Sequence, residues 1–285
     1  MQRLVAATGG SALAIGLVVW IGLVERTGPV RCPDGTFDTD ARCCALGQGW
    51  VNGRCEGWPA RCPKGLVARA DQGAGCVPIT RRIPIAGGSL FLGPSDWEAQ
   101  GKVEFRVIRV QPFEIDSIEV THHRWATCVE DGVCDALESH EPGLPVTGVS
   151  VAAAAQFCRF AGGRLPLGDE WLMAACGSEG RRYPWGATGL VCRRAVFGTV
   201  SGPCSTGAQE PELAGLRPDG ATPDGVLDLV GNVAEWTVEA DHTYAARGGS
   251  FRSRVAGNLK NWSVEVATAP ADHIGFRCAY DVETE

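Results

Sequence analysis

Residues 228–237 read DLVGNVAEWT. The stretch sets Gly231, Asn232, Glu235 and Trp236 between a Pro/Gly-rich approach, GATPDG, and a charged exit, VEADH. Its apolar residues follow neither the helical nor the strand period, so it reads as a turn built around particular side chains. Asn232 and Glu235, three residues apart, can present two oxygen ligands with peptide carbonyls beside them, which suits a hard cation such as calcium. Trp236 is then left to point into the core. The alternative is that Asn232 and Glu235 only hydrogen-bond the loop backbone.

The surrounding chain of 285 residues has room for one sizeable core and something smaller. With 26 Lys and Arg against 33 Asp and Glu, the net charge is −7, which excludes the basic footprint of a nucleic-acid surface. The 38 glycines, and nine tryptophans against three tyrosines, suit a loop-rich fold with indoles filling gaps between irregular segments.

Leu4 to Val24, LVAATGGSALAIGLVVWIGLV, is an uncharged run of 21 residues between Arg3 and Glu25-Arg26. At the helical rise it reaches roughly 30 Å, the thickness of a bilayer core. It is longer than the apolar region of a signal peptide and lacks an A-x-A-like site after it. Residues 1–26 are therefore expected to be an uncleaved signal anchor. Arg3 favours a cytoplasmic amino terminus, with the rest of the chain extracytoplasmic, on the periplasmic or cell-surface side. All 13 cysteines follow this run, in local clusters, as in an oxidising compartment. Six of them (Cys32, Cys43, Cys44, Cys55, Cys62 and Cys76) fall in residues 27–80, a segment too poor in large apolar residues to fold by burial alone. It is expected to be a small disulfide-stapled unit; zinc is disfavoured because the segment has no C-x₂-C pair and no histidine.

From residue 81 the texture changes. RRIPIAGGSLFLG reads as strand, Gly-Gly turn and strand, and VEFRVIRVQPFEIDSIEV as more strand. Thr121 is placed to cap a helix through HHRWATCVEDG, and Ser150 one through VAAAAQFCRF, which stops at Gly162-Gly163. Two or three short helices among strands and long loops make an α+β class with much irregular structure. In GRLPLGDEW, residues 163–171, Asp169 and Glu170 suit the first turn of a helix, which explains them without an acid/base role. Arg247, before Gly248-Gly249, is a candidate to fork a carboxylate in a groove with Ser250; a structural ion pair is its other reading.

Taken in order, IPIAGGSLFLG, FEIDSIEVTHHRW, VTGVSVAAAAQFCRFAGGRLPLGDEW, YPWG, LDLVGNVAEWT, ARGGSF and IGFRCAY resemble the formylglycine-generating enzyme (sulfatase-modifying factor) family. The likeness covers about Ile83 to Tyr280. It implies a C-type-lectin-like fold over residues 81–285. It also implies calcium at the side chains of Asn232 and Glu235, helped by Val233 and Thr237. A second calcium site of the family uses an asparagine where this chain has Val196, in Ala195-Val196-Phe197, so that site is expected to be absent. Cys158 and Cys278 match positions that are disulfide-bonded in relatives. Cys128 with Cys134, and Cys192 with Cys204, each flank a short loop and read as local staples; Cys176 is the leftover, expected as a buried inert thiol.

One departure bears on activity. The catalytic members carry two cysteines five residues apart after the Gly-Gly-Ser segment, which bind copper(I). The matching residues of GGSFRSRVAGN are Ser253 and Asn258, neither of which is a soft ligand. Copper is not expected. The histidines offer no replacement by spacing: His122 and His123 are adjacent and diverge on a helix, and His140, His242 and His273 stand alone. Ser253 as a hydrolytic nucleophile has no base placed for it. The leading expectation is a membrane-anchored module that binds a peptide, glycan or protein. The alternative is a divergent enzyme of the family acting on a peptide or a peptide-derived metabolite, by analogy with the pyoverdine-maturation branch.

Overall fold

The structure is a computed structural model that describes residues 36–282, apart from 40–41, 46, 52–53, 57–61, 63–65, 70–74, 95–102, 191–192, 199–208 and 255. The expected anchor, Leu4–Val24, lies outside these residues, as do Cys192 and Cys204. Among the described residues no helix is long and apolar enough to cross a membrane.

The cysteine-rich segment forms three antiparallel hairpins. β1 (Thr36–Thr39) pairs with β2 (Arg42–Ala45), β3 (Gly49–Val51) with β4 (Arg54–Glu56), and β5 (Leu66–Arg69) with β6 (Gly75–Pro78). Two-stranded ribbons have no second layer to bury a face against. Staples compensate: Cys44 is buried, and both Cys44 and Cys62 are in disulfides.

The main domain opens with β7 (Arg82–Ile85), β8 (Gly88–Leu92), β9 (Arg106–Val110) and β10 (Phe113–Asp116). The Gly-Gly turn does not close a hairpin between β7 and β8. Instead β7 pairs with β10 and β8 with β9, both antiparallel. The glycine serves a close approach: a Cβ on Gly87, whose φ is +69°, would sit 2.5 Å from the Val110 carbonyl oxygen. Three helices follow, α1 (His122–Glu130), α2 (Val151–Phe160) and α3 (Gly168–Cys176). Thr121 and Ser150 cap the first two as expected, their hydroxyls accepting from the backbone N–H groups of Arg124 and Ala153. Glu170 fixes the start of α3, accepting from the Leu167 N–H at 2.8 Å while Arg164 forks its carboxylate at 2.7 Å on both oxygens.

The last strands are β11 (Ala234–Val238), β12 (Tyr244–Arg247), β13 (Val264–Val266), β14 (Ile274–Gly275) and β15 (Ala279–Asp281). They complete two sheets, ordered β15-β10-β7 and β13-β12-β11-β14, the latter with β11 and β14 parallel. The second half of DLVGNVAEWT is thus a central strand, buried throughout, and only residues 228–233 are turn. Trp236 does enter the core, at 1% exposure, with its indole donating to the Val149 carbonyl. Around it Trp125 stacks on Phe157 with ring centres 5.5 Å apart, and Phe276 meets both edge-on.

Among the described residues two staples tie this domain. Cys158 bonds to Cys278, joining α2 to the residue before β15, and Cys128 bonds to Cys134 at the end of α1. Cys176 is buried and unbonded; burial pushes its thiol up to about 12, so it is protonated and inert at neutral pH.

Candidate functional site

The turn at 228–233 brings four separated motifs to one point. Asp228 and Asn232 adopt left-handed backbone, with φ of +56° and +53°, a conformation that Asn and Asp tolerate better than most residues. This folds the loop back so that Asp228, Asn232 and Glu235 all lie inside the protein, at 4%, 1% and 1% exposure. Glu119, from the FEIDSIEV segment, joins them with no exposure at all. Arg277, also unexposed, enters from the IGFRCAY segment.

Arg277 is the hub. Its Nε and one terminal nitrogen donate to the two oxygens of Glu235 at 2.8 and 2.6 Å. The remaining bonds go to the carbonyls of Asp116, at 2.9 Å, and Leu227, at 2.7 Å. The Trp171 indole adds a third donor to Glu235, at 2.7 Å. The Asn232 amide is also engaged: its oxygen accepts from the Glu212 N–H at 2.9 Å and its nitrogen donates to Glu119 at 3.0 Å. The Thr237 hydroxyl donates within reach of Glu239 and the Ala245 carbonyl. Of the calcium set expected from sequence (Asn232, Val233, Glu235 and Thr237), the three polar side chains are thus placed in one hydrogen-bonded region. Asn232 and Glu235 accept from protein donors, whereas the Thr237 hydroxyl donates.

The buried charge does not balance at these residues. Arg277 faces Glu119, Asp228 and Glu235, and the Arg217–Glu212 pair acts on Asp228 from beside them. Desolvation, then Asp228, pushes the Glu119 carboxyl well above the usual range, and desolvation raises Asp228 to about 6 despite its bond from the Gly215 N–H. One oxygen of Glu119, Oε2, has no hydrogen-bond partner. Sequence reading missed Glu119, Asp228 and Arg277 as members of this group. Asp228 lies in the quoted stretch itself; the other two show no signal beyond sitting in neighbouring motifs.

The positions matching the copper cysteines lie on the loop after β12. Gly249 brings them together: a Cβ there would sit 2.3 Å from the Asn258 carbonyl and 2.9 Å from the Ser253 hydroxyl. Ser253 is half-buried, and its Oγ accepts from the Ser250 N–H at 3.0 Å; Asn258 is exposed. Ser250 is buried, its hydroxyl accepting from the Arg252 N–H. These are turn-closing bonds between hard atoms, and copper(I) does not fit them. Arg247 likewise belongs to the fold rather than to an open groove, since Glu239 takes its Nε and one terminal nitrogen at 3.2 and 2.8 Å. Val196 is buried in the core, as its side chain requires.

The family described as "Sulfatase-modifying factor enzyme 1-like domain" matches residues 69–282. The chain belongs to this family. It is 27% identical over 291 residues to the inactive C-alpha-formylglycine-generating enzyme 2 of Mus musculus, covering 78% of this chain and 90% of that protein. With the formylglycine-generating enzyme of Streptomyces coelicolor it shares 26% identity over 305 residues, covering 76% of this chain and 95% of the relative. The solved structure of PvdO from Pseudomonas aeruginosa has the same fold, with a TM-score of 0.57, 19% identity, and coverage of 78% of this chain and all of PvdO. The sulfatase-modifying-factor domain and the mixed helix and sheet architecture expected from the motifs are thus established.

Proposed function

We propose that this member of the sulfatase-modifying-factor family does not form formylglycine and serves as a binding module for a peptide, glycan or protein. In this reading Leu4–Val24 anchors it in a membrane and a C-type-lectin-like scaffold carries its loops on the extracytoplasmic side. The observation that carries the proposal is the pair Ser253 and Asn258: one holds a turn and the other is a solvent-facing amide. Similarity to a relative named as inactive supports it. The test is incubation of the purified chain with copper(I), oxygen and a cysteine peptide carrying the sulfatase recognition sequence, followed by peptide mass. No formylglycine is the expected result, even at enzyme excess. Conversion at any rate above the protein-free control would favour the divergent-enzyme reading instead.

Calcium at Asn232, Val233, Glu235 and Thr237 remains part of the proposal, with Glu119 and Asp228 beside that set. The excess carboxylates are Glu119 and Asp228, and the Oε2 atom of Glu119 without a partner is where a hard cation would compensate them. The consequence is a pH effect. A carboxyl whose folded-state pKa is raised binds its proton more tightly than in the unfolded chain, so stability falls as pH rises from the ordinary value of 3.8 to the folded value of about 6 for Asp228. His122, with its pKa lowered to about 4, works in the opposite direction between that value and 6.5. Wild type must therefore be compared with Asp228→Asn. In chelator, the variant is expected to gain melting temperature relative to wild type as pH rises from 4 to 7 (about the span of the two titrations). Calcium is expected to remove most of that gain. A difference that does not change with pH contradicts the raised carboxyl, and one that calcium leaves untouched contradicts the ion alone.

A further inference from the structure

Spacing along the chain separates His122 from His140, but the fold places their rings 4.7 Å apart, centre to centre, tilted by 42°. The contact is held by backbone on both sides. The N–H groups of His122 and His123 donate to the carbonyls of Leu144 and Pro142, at 3.0 and 2.9 Å. The Trp125 indole donates to the Asp135 carbonyl at 2.9 Å, and Gln156 to that of Val133 at 2.6 Å. With the Cys128–Cys134 bond, these contacts pin the 131–145 loop against α1 and α2, leaving His140 exposed.

Both rings line a cavity of about 330 Å³ at the protein surface. Its walls include Trp125, Val129 and Leu137, and Glu130 and Glu138 also line it. Apart from each other, burial is the only influence of note on His122, which it holds neutral with a pKa of about 4. At pH 7 the lone pair of its ring nitrogen is available to a metal rather than to a proton.

We propose that His122 and His140 form a two-imidazole site for a divalent transition-metal ion such as zinc, nickel or copper, with water completing the coordination. The spacing matches. With metal–nitrogen bonds of about 2.0–2.1 Å at a tetrahedral angle, two imidazole centres stand roughly 5 Å apart. The observed 4.7 Å is close to that separation. Among the described residues no third His, Cys, Asp or Glu completes a set of three, so open positions remain for water or for a donor from a bound partner. The ion would clamp the 131–145 loop to α1. This site is separate in ligand type from the acid cluster around Glu119: imidazole selects borderline metals, whereas carboxylates select calcium.

The test uses the full chain, titrated calorimetrically with zinc and then copper(II) in a buffer containing calcium. Copper is expected to bind more tightly than zinc, and its paramagnetic resonance spectrum to carry splitting from two imidazole nitrogens. His140→Ala, on an exposed loop, is expected to keep the wild-type melting temperature without metal, to weaken zinc by about tenfold or more, and to reduce the splitting to at most one nitrogen. His122→Ala should match it, and His242→Ala, in a distant exposed turn, should change neither readout. A copper spectrum without imidazole nitrogens, or zinc affinity unaltered in His140→Ala, overturns the site.

Discussion

Arg277→Ala is expected to destabilise the protein more than any other single substitution at the site, by about 3–5 kcal/mol, because it removes one partner of a buried ion pair. The guanidinium is unexposed and holds four contacts that no other side chain can replace together: both oxygens of Glu235 and the carbonyls of Asp116 and Leu227. Truncation leaves Glu235 ionised in the core beside Glu119 and Asp228, two carboxyls whose ionisation is already disfavoured there. At about 2–4 °C per kcal/mol for a domain of this size, the melting temperature should fall by roughly 10 °C. Arg277→Lys should recover little of it, since one ammonium cannot fork Glu235 and reach two carbonyls at once. Glu235→Gln should cost less than Arg277→Ala: it keeps an acceptor for Arg277 and relieves one of three negative charges. Denaturant unfolding of the three variants decides the order. An Arg277→Ala protein that melts within a degree or so of wild type would mean that the acids, not the arginine, set the energy of this cluster.

This hub also marks the boundary of what sequence can deliver. The caps at Thr121 and Ser150 follow from local rules, because a cap is decided within a few residues, and the leftover Cys176 follows from the odd count of cysteines. The order of motifs carried the family and the architecture. Partner choice across the chain was not legible. A spacing of three residues presents Asn232 and Glu235 as neighbours and says nothing of their distant partners. In the fold the chain passes from left-handed turn to strand between them, and each finds a partner more than 40 residues away. The Gly87-Gly88 turn misled in the same manner, since its glycine answers to the Val110 carbonyl and not to a hairpin. His140 stands alone in the sequence for the opposite reason: the loop after α1 returns it to His122, and the backbone and side-chain bonds that hold that loop are not encoded in histidine spacing.

Loss of the Cys158–Cys278 bond is expected to be the second large effect, and its size relative to Cys128–Cys134 is the informative quantity. The first bond joins residues 120 apart, the second residues 6 apart. A cross-link restricts the unfolded chain more as the loop it closes lengthens, which in the chain-entropy account is about 3 kcal/mol for 15 residues and nearly 5 for 100. Packing acts in the same direction. Cys158 and Cys278 are both fully buried, next to Phe157 and Phe276 in the aromatic core, so opening the bond leaves two buried positions without their covalent contact. By contrast the 128–134 turn keeps the Cys128 carbonyl bonded to the N–H groups of Val133 and Cys134, with the Trp125 indole holding Asp135 beyond it. The double variant Cys158→Ala/Cys278→Ala should therefore lose about 3–5 kcal/mol, and Cys128→Ala/Cys134→Ala about 1–2. Both are to be measured by denaturant unfolding without reductant, with the slope of the transition recorded. A steeper slope in the first variant would report an unfolded chain that expands once the long loop is released. Equal losses in the two variants would show that native contacts, and not the freedom of the unfolded chain, account for what these bonds contribute.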